Sequence, residues 1–325
     1  MTTGIFTISL DFEIHWGVSD HRTIESYKEN LQNVPNVVRR TLKLFGERSI
    51  HATWATVGML FCDTRKELFE NVNERDRPTY NNPALSNYNI AVEAGENEQS
   101  DPYHFANSVI KQIIATPLQD LGTHTYSHYY CLEPGQSPEQ FYHDLVAARR
   151  LLNKENVKDA VSIVFPRNQY DPNYLEQCRK TGFTCYRGNY PSWLYAAEAK
   201  STETKKKRLA RLIDTYFPLT GQRYVDIDVH DGLMNVPGSC FLRPYNKKLS
   251  FLEGLRLRRI KREMTAAAKK KKLYHLWWHP HNFGKDMDKN FAVLEKILDH
   301  FNKLATEYGM VSMNMKEIYE KHRNG

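Results

Sequence analysis

Strand-like and helix-like segments alternate along most of the 325-residue chain, and this alternation limits the fold more than any other feature. Short runs rich in β-branched residues are each followed by a stretch with apolar side chains at three- and four-residue spacings. The predicted strands are Ile5 to Leu10, His51 to Leu60, Gln119 to His124, Val161 to Phe165, Thr184 to Tyr186 and Leu273 to His279. The predicted helices are 30–45, 138–152, 173–180 and 290–308. This order predicts an α/β fold with parallel strands and crossover helices.

Two segments interrupt the alternation, at about residues 62–112 and 188–246. Both mix aromatic and polar residues in irregular order, and neither is low in complexity. We interpret them as insertions into one domain, residues 1–325, rather than as linkers between domains. Catalytic residues are then expected at the carboxyl ends of the strands, where the loops that follow them gather.

Composition narrows the class of protein. Apolar residues make up 41% of the sequence, yet no run approaches the roughly 20 apolar residues that a membrane span needs. The N-terminal segment lacks the basic region and the cleavage site of a secretion signal, so we expect a cytoplasmic protein. The five cysteines are scattered and include no Cys-x-x-Cys pair, which argues against a disulfide framework.

Basic residues exceed acidic ones, giving a formal net charge of +7, and they concentrate in runs at 205–211, 256–262 and 269–272. Such runs can contact a phosphorylated substrate or a membrane surface, and they also form ordinary solvated helix faces. No RNA-binding sheet motif or zinc finger accompanies them. We therefore expect no nucleic-acid partner and leave a peripheral membrane contact open.

Two carboxylates stand at the end of the first predicted strand. Asp11 and Glu13 are two residues apart, so in an extended chain their side chains point to the same side. Acidic groups on one face repel each other unless a cation or a proton separates them. The pair is therefore either a functional site or a capping site in a loop.

Histidines recur at the ends of two later strands. His124 and His128 follow a Gly-Thr pair, and both can reach one ion if the chain turns there. A proline ends the last strand and places His279 at its tip, with His275 deeper on the same face, where we expect a hydrogen-bonded core residue. His281 follows, either near the site or simply in the loop.

An arginine follows the fourth predicted strand, in the segment Phe165 to Gln169. Arg167 there is either a surface charge or a group that orients a carboxylate through a forked contact.

These signals occur in order, each at the end of a predicted strand, and together they resemble the motifs of the polysaccharide deacetylase (NodB-homology) superfamily. Ile8 to Glu13 is similar to the first motif, commonly Thr-Phe-Asp-Asp-Gly, and His51 to Gly58 to the second-strand segment. Gly122 to His128 is similar to the motif His-Ser/Thr-x-x-His. Phe165 to Asn168 resembles Arg-x-Pro in altered order, and Leu276 to His279 resembles the final Leu-x-His. The resemblance covers the strands and neither insertion.

The resemblance implies an irregular (β/α)7 TIM-like barrel with two inserted loop regions. It also implies a metal-dependent deacetylase that acts on linear, non-peptide amide bonds. One divalent ion would be held by Glu13, His124 and His128, with Zn²⁺ expected and Co²⁺, Mn²⁺ or Ni²⁺ as alternatives. Three protein ligands leave positions open for water and for the substrate carbonyl.

The resemblance further implies that Asp11 acts as general base, that His279 acts as general acid and that Arg167 holds Asp11 ionised. The side chains expected to contact substrate are Trp16, Asn168, Trp277 and His281.

The chain departs from the family pattern in three ways. The two carboxylates are separated by one residue, and the ligand position holds Glu13 where the family has Asp. The usual Asp-x-x-Asp-Trp motif is not recognisable, and the segment from Tyr186 to Asn189 stands in its place. The partner of His279 is therefore unassigned, with Asp226 and Asp228 as candidates.

The implied substrate is a sugar carrying an N-acetyl or related acyl group. A cytoplasmic intermediate of surface polysaccharide synthesis, linked to a nucleotide or a lipid, suits the expected location. Two other classes stay open: a catalytically silent, basic barrel that binds a ligand, and a non-haem iron enzyme with the same two-histidine, one-carboxylate set. Retention of Asp11 and His279 weighs against the first, and the strand–helix alternation against the second.

Overall fold

The computed structural model describes residues 2–199, 202–230 and 232–323. The strands in this part of the chain are β1 Ile5–Phe12, β2 Ala52–Thr56, β3 Gln119–Thr123, β4 Ser162–Val164, β5 Cys185–Arg187, β6 Asp228–His230, β7 Leu233–Asn235, β8 Cys240–Phe241, β9 Leu273–Trp278 and β10 Val311–Ser312. They form one sheet in the order β6-β7-β5-β4-β3-β2-β1-β9-β8, with β10 beside β1. All pairings are parallel except that of β6 with β7, so the predicted α/β fold with a parallel sheet is confirmed.

The helices lie between the strands. Their bounds are α1 Ile24–Gln32, α2 Val34–Glu47, α3 Arg65–Glu70, α4 Asn87–Ala91, α5 Asn107–Ile114, α6 Pro138–Lys154, α7 Pro172–Lys180, α8 Lys205–Tyr216, α9 Glu253–Lys270, α10 Met287–Tyr308 and α11 Met315–Arg323. No helix in these described ranges is both long enough and apolar enough to cross a bilayer.

Two predicted elements differ from the structure. The segment 30–45, predicted as one helix, spans the end of α1 and most of α2, which begins at Val34 with a proline in its first turn. The second predicted strand ends early, at Thr56, because Gly58–Phe61 turns into a short 3₁₀ helix.

Strand β1 lies at the centre of the sheet and all of its residues are buried. It pairs with β2 on one side and with β9 on the other, with Leu10 opposite both Trp54 and Trp278. The sequence of a parallel strand that is covered on both faces is usually an almost continuous run of apolar residues. Asp11 is therefore an exception that needs a charged partner inside the fold.

The segment that carries β7 and β8 contacts both ends of the parallel series. Met234 pairs with Cys185 of β5, whereas Cys240 pairs with Leu276 of β9. The carboxyl ends of the parallel strands consequently surround one region, and this is where the predicted site residues lie.

The two segments interpreted as insertions differ in content. The first contains α3, α4 and the start of α5, and the second contains α8 and strands β6 to β8. Residues 200, 201 and 231 of the second insertion lie outside the described residues.

Candidate active site

Glu13 lies just beyond β1 and contacts two histidines from the turn after β3. Its Oε2 atom is 3.2 Å from Nε2 of His124 and 3.0 Å from Nε2 of His128, and all three side chains are buried. Three potential ligand atoms from these residues lie within 4.8 Å of one another. The structure thus brings together the three predicted metal ligands.

The turn after β3 is held in its shape by a carboxylate from α6. Oδ1 of Asp144 accepts a hydrogen bond from the backbone N–H of Tyr126 at 2.6 Å, and Oδ2 accepts from the N–H and hydroxyl of Ser127 at 3.0 and 2.5 Å. Thr125 and His128 adopt φ angles of 64° and 59°, which β-branched and bulky residues rarely do. The contacts of Asp144 stabilise this strained turn and so orient both histidines.

The donor set fits a divalent cation. Nδ1 of His124 lies 2.7 Å from the carbonyl oxygen of Val164, which can only accept, so Nδ1 carries the proton. In the neutral imidazole, Nε2 then directs a lone pair at the carboxylate of Glu13. Burial lowers the pKa of His128 to about 4, which keeps this second imidazole neutral. The Nε2 lone pairs and the carboxylate oxygen of Glu13 are all acceptors, so they repel one another at these distances unless a cation lies between them. Two imidazoles and one carboxylate are a typical ligand set of catalytic zinc.

Gly17 makes room for the carboxylate of Glu13. A Cβ atom at this position would lie 2.0 to 2.4 Å from the carboxyl atoms of Glu13. Any larger residue here would therefore displace the carboxylate from the two histidines.

A second group, formed by Glu13, His279 and His281, has similar spacing but different chemistry. Oε1 of Glu13 is 3.7 Å from Nε2 of His279 and 3.9 Å from Nε2 of His281. Asn282 accepts a hydrogen bond from the hydroxyl of Tyr27, which turns its amide NH₂ toward Nδ1 of His279 at 3.1 Å. The ring proton of neutral His279 is then on Nε2, facing the carboxylates. This orientation suits a proton donor better than a metal ligand.

Asp11 is held by an arginine from β5. Arg187 donates from Nη1 to Oδ1 at 2.7 Å and from Nη2 to Oδ2 at 2.8 Å, and it also contacts Ser9 and Asn168. Its guanidinium carbon lies 4.2 Å from the ring centre of Trp277. Burial opposes ionisation of Asp11, but Arg187 outweighs it and holds the pKa of Asp11 well below its ordinary value.

His279 faces both carboxylates at the mouth of the site. Its Nε2 lies 3.5 Å from Oδ2 of Asp11, and its side chain is 24% exposed, so a substrate can reach it. Burial lowers the pKa of His279, but the charges of Glu13 and Asp11 outweigh this and raise it above its ordinary value.

The predicted role of Arg167 is wrong. Its Nη2 lies 2.5 Å from Asp20 and its Nη1 is 3.6 Å from Glu133, with no contact to Asp11. Arg167 follows the end of β4 at a φ of 56°, which directs it into the loops. Arg187 stands within the next strand and reaches the interior, so it takes the place predicted for Arg167.

The prediction for Trp16 is also wrong. Its side chain is completely buried, with the indole N–H donating to the carbonyl oxygen of His104 at 3.0 Å and the ring packed against that histidine. Trp16 is thus a core residue rather than a substrate contact.

Three other predicted residues, Asn168, Trp277 and His281, line a cavity of about 360 Å³ together with Asp11, Glu13 and His279. His275 is fully buried and hydrogen-bonded to Ser9 and Val236, as expected for a core histidine.

The candidates for the partner of His279 are likewise not supported. Asp226 contacts Lys272, which precedes β9 and so lies at the opposite end of that strand from His279, and Asp228 lies in β6. The partner in the structure is Asn282, three residues after His279 in the same loop.

Sequence reasoning missed three residues of the site: Arg187, Asn282 and Asp144. A charged residue between Cys185 and Gly188, in a short apolar strand, was the available signal for Arg187. For Asn282 and Asp144 the sequence offers none, because a polar residue in a loop or on a helix is ordinary.

Comparison with known proteins agrees with the fold. Residues 26–186 match the family model for polysaccharide deacetylases, and no curated protein sequence gives a significant match. A protein provisionally named a polysaccharide deacetylase from Mycobacterium smegmatis is 13% identical, with a TM-score of 0.61 over 100% of this chain and 92% of that chain. A second, from Pseudomonas aeruginosa PAO1, is 12% identical with a TM-score of 0.61 over 99% and 92%.

The Puue allantoinase is similar to the same degree, with 11% identity and a TM-score of 0.62 over 99% of this chain and 91% of that one. Identities this low show a shared fold and nothing of shared activity. The family match over residues 26–186, together with the ordered motifs, shows that the chain contains a polysaccharide deacetylase domain of the NodB-homology superfamily.

Proposed function

We propose that the protein is a metal-dependent hydrolase that removes an N-acetyl or related acyl group from a sugar. The observation that carries this proposal is the meeting of five side chains from three separate strand ends: Asp11, Glu13, His124, His128 and His279. All of them except His124 line one cavity. Hydrolysis of an amide needs an activated water, a base and an acid, and this set offers a group for each task.

Glu13, His124 and His128 would hold the metal, for which we propose Zn²⁺. When bound, such an ion lowers the pKa of a water molecule toward roughly 7 and polarises a carbonyl oxygen.

Asp11 is the proposed general base. Arg187 keeps it ionised, and each carboxylate oxygen retains a lone pair beyond the one that Arg187 engages. It can therefore accept the proton of the attacking water as the tetrahedral intermediate forms.

His279 is the proposed general acid. Its Nε2 proton faces the cavity, and the charges of Glu13 and Asp11 raise its pKa above the ordinary value. Because an amide anion is too basic to leave, the amine nitrogen must take up a proton as the C–N bond breaks, and His279 is placed to supply it.

The proposed substrate is a biosynthetic intermediate of a surface polysaccharide, carried on a nucleotide or a lipid in the cytoplasm. Trp277 and Phe241 form an aromatic wall beside His279, with ring centres 4.6 Å apart. Aromatic faces of this kind pack well against the apolar face of a sugar ring.

The test is to incubate the metal-loaded protein with N-acylated sugars, free and carrier-linked, and to measure the acid released. Asp11→Asn and His279→Ala should each abolish release while metal content stays near that of the wild type. Glu13→Gln should lose both metal and activity. Release of acid by Asp11→Asn at the wild-type rate would refute its role.

Metal-loaded protein also distinguishes the two rival classes, a non-haem iron enzyme and a catalytically silent binding protein. Oxygen consumption by the iron-loaded protein would indicate an oxygenase, and failure to bind any divalent metal would indicate a silent scaffold.

A further inference from the structure

A second, larger cavity adjoins the metal cavity. Its volume is about 680 Å³, and the second insertion, residues 188–246, supplies much of its wall. Three of the residues that line both cavities are Arg167, Phe241 and Trp277. A ligand seated at the metal can therefore extend into this space, which has the size of typical small-molecule sites.

The charged side chains in the wall of this cavity are mostly arginines. Four arginines and two glutamates, Glu198 and Glu203, line it, and three of the arginines already have carboxylate partners. Arg167 pairs with Asp20, while Arg208 and Arg211 share Glu203.

Arg243 is the exception. Among the described residues no carboxylate lies within ion-pair distance of it, and its one side-chain hydrogen bond runs from Nε to the hydroxyl of Thr215 at 2.9 Å. Burial lowers the pKa of Arg243, and the charge of Arg211 lowers it further. A guanidinium group stays protonated in proteins, so Arg243 keeps an uncompensated charge at the cavity wall.

Two buried arginines in this part of the fold are compensated, whereas Arg243 is half-buried. Arg223 contacts Glu263, and Arg259 contacts both Glu263 and Asp214. Arg149, which lacks a carboxylate, instead donates from two nitrogens to backbone carbonyl groups. The terminal nitrogens of Arg243 have neither kind of partner within the described ranges.

We propose that this cavity binds a phosphate group of the substrate, with Arg243 as its main contact. The proposal rests on the function proposed above, because the acylated nitrogen would lie at the metal while the phosphorylated part fills the larger cavity. The planar guanidinium of Arg243 matches two phosphate oxygens in a forked contact. The ligand class is thus a phosphorylated N-acylated sugar.

The test measures dissociation constants by calorimetry, using the Glu13→Gln variant so that neither turnover nor phosphate–metal contact contributes. The probes are N-acetylglucosamine, its 1-phosphate, UDP-N-acetylglucosamine and a short-chain polyprenyl diphosphate N-acetylglucosamine. The phosphorylated probes should bind more tightly than the neutral sugar. Arg243→Met should raise the dissociation constants of the phosphorylated probes by ~10- to 100-fold and leave that of the neutral sugar unchanged.

Arg150→Met is the matched control, since it removes the same charge from the exposed face of α6. Its affinities should equal those of the parent. Arg243→Lys keeps the positive charge but cannot contact two phosphate oxygens at once, so it should lose less affinity for the phosphorylated probes than Arg243→Met does. This variant keeps the test valid if Arg243→Met folds poorly.

Equal affinity of Arg243→Met and its parent for all phosphorylated probes would overturn the proposal. So would tighter binding of an N-acetylated uronic acid than of the 1-phosphate, which would indicate a carboxylate site. Preference for the UDP or the polyprenyl probe identifies the carrier. Failure of deacetylation alone leaves these binding results intact, so the two proposals fail separately.

Discussion

At the scale of single residues, the contact between Asp11 and Arg187 decides the charge of the proposed base. Asp11 is only 2% exposed, and a carboxyl group buried without a partner would hold its proton. The forked contact of Arg187 reverses this effect, and it also leaves Asp11 fixed beside His279. Position and ionisation of the base therefore depend on the same side chain.

Arg187→Lys tests this dependence. Lysine keeps the charge but cannot engage both carboxylate oxygens, so we expect kcat to fall by ~10- to 100-fold with metal content unchanged. Because Arg187 lowers the pKa of Asp11, weakening the contact raises that pKa. The base must be ionised to act, so the acid limb of the kcat/KM profile should move to higher pH.

The control is Arg167→Lys, because Arg167 contacts Asp20 and not Asp11. Its acid limb should coincide with that of the wild type. An unmoved acid limb in Arg187→Lys would contradict the role given to Arg187.

At the scale of elements, the orientation of the two histidine ligands depends on the hydrogen bonds that Asp144 of α6 accepts from Tyr126 and Ser127 in the turn after β3, here called the clamp. Burial raises the pKa of Asp144 to about 6, although three donors from the turn face it. The chain keeps this acidic residue at 1% exposure because no other side chain of its size accepts all three hydrogen bonds. The strained φ angles of the turn are maintained by these contacts.

Asp144→Asn should loosen this clamp. The amide NH₂ would face an N–H donor of the turn, leaving at least one buried donor unpaired at a cost of about 1–3 kcal/mol in unfolding free energy. We expect zinc affinity to fall by ~10- to 100-fold, measured by competition with a chelating dye.

Glu139→Gln, at an exposed position of the same helix, should change neither quantity appreciably. Wild-type zinc affinity in Asp144→Asn would show that the histidines are oriented without the clamp.

At the scale of the whole molecule, the proposed metal joins parts of the chain that are distant in sequence. Glu13 follows β1 while His124 and His128 follow β3, and α6 packs behind the turn. An ion that binds only the folded state adds RT ln(1 + [L]/Kd), about 4 kcal/mol at a thousandfold excess over Kd.

Removal of metal with a chelator should therefore lower the thermal midpoint by several degrees, and added Zn²⁺ should restore it. Calorimetric scans measure both effects. Asp11→Asn should respond as the wild type does, whereas Glu13→Gln should not. Superimposable scans with and without chelator would contradict the assignment of the ligands.

The parallel α/β architecture was predictable because the periodicities of strands and helices are local properties of the sequence. The same reasoning placed Asp11, Glu13, His124 and His279 at strand ends, and parallel strands direct those ends to one region. Membership of the superfamily followed from the order of the motifs, and the family match confirms it.

The sequence by itself thus determined the alternation of elements and the set of groups able to bind a cation and move protons. Only the tertiary structure decided which arginine contacts Asp11, that Trp16 packs in the core, and that Arg243 lines a cavity with no carboxylate partner of its own among the described residues. The physical reason is that a forked hydrogen bond or an unpaired charge depends on distances of a few ångströms between elements. Those distances are set by the order and twist of the strands and by the packing of the insertions, which no local pattern of residues encodes.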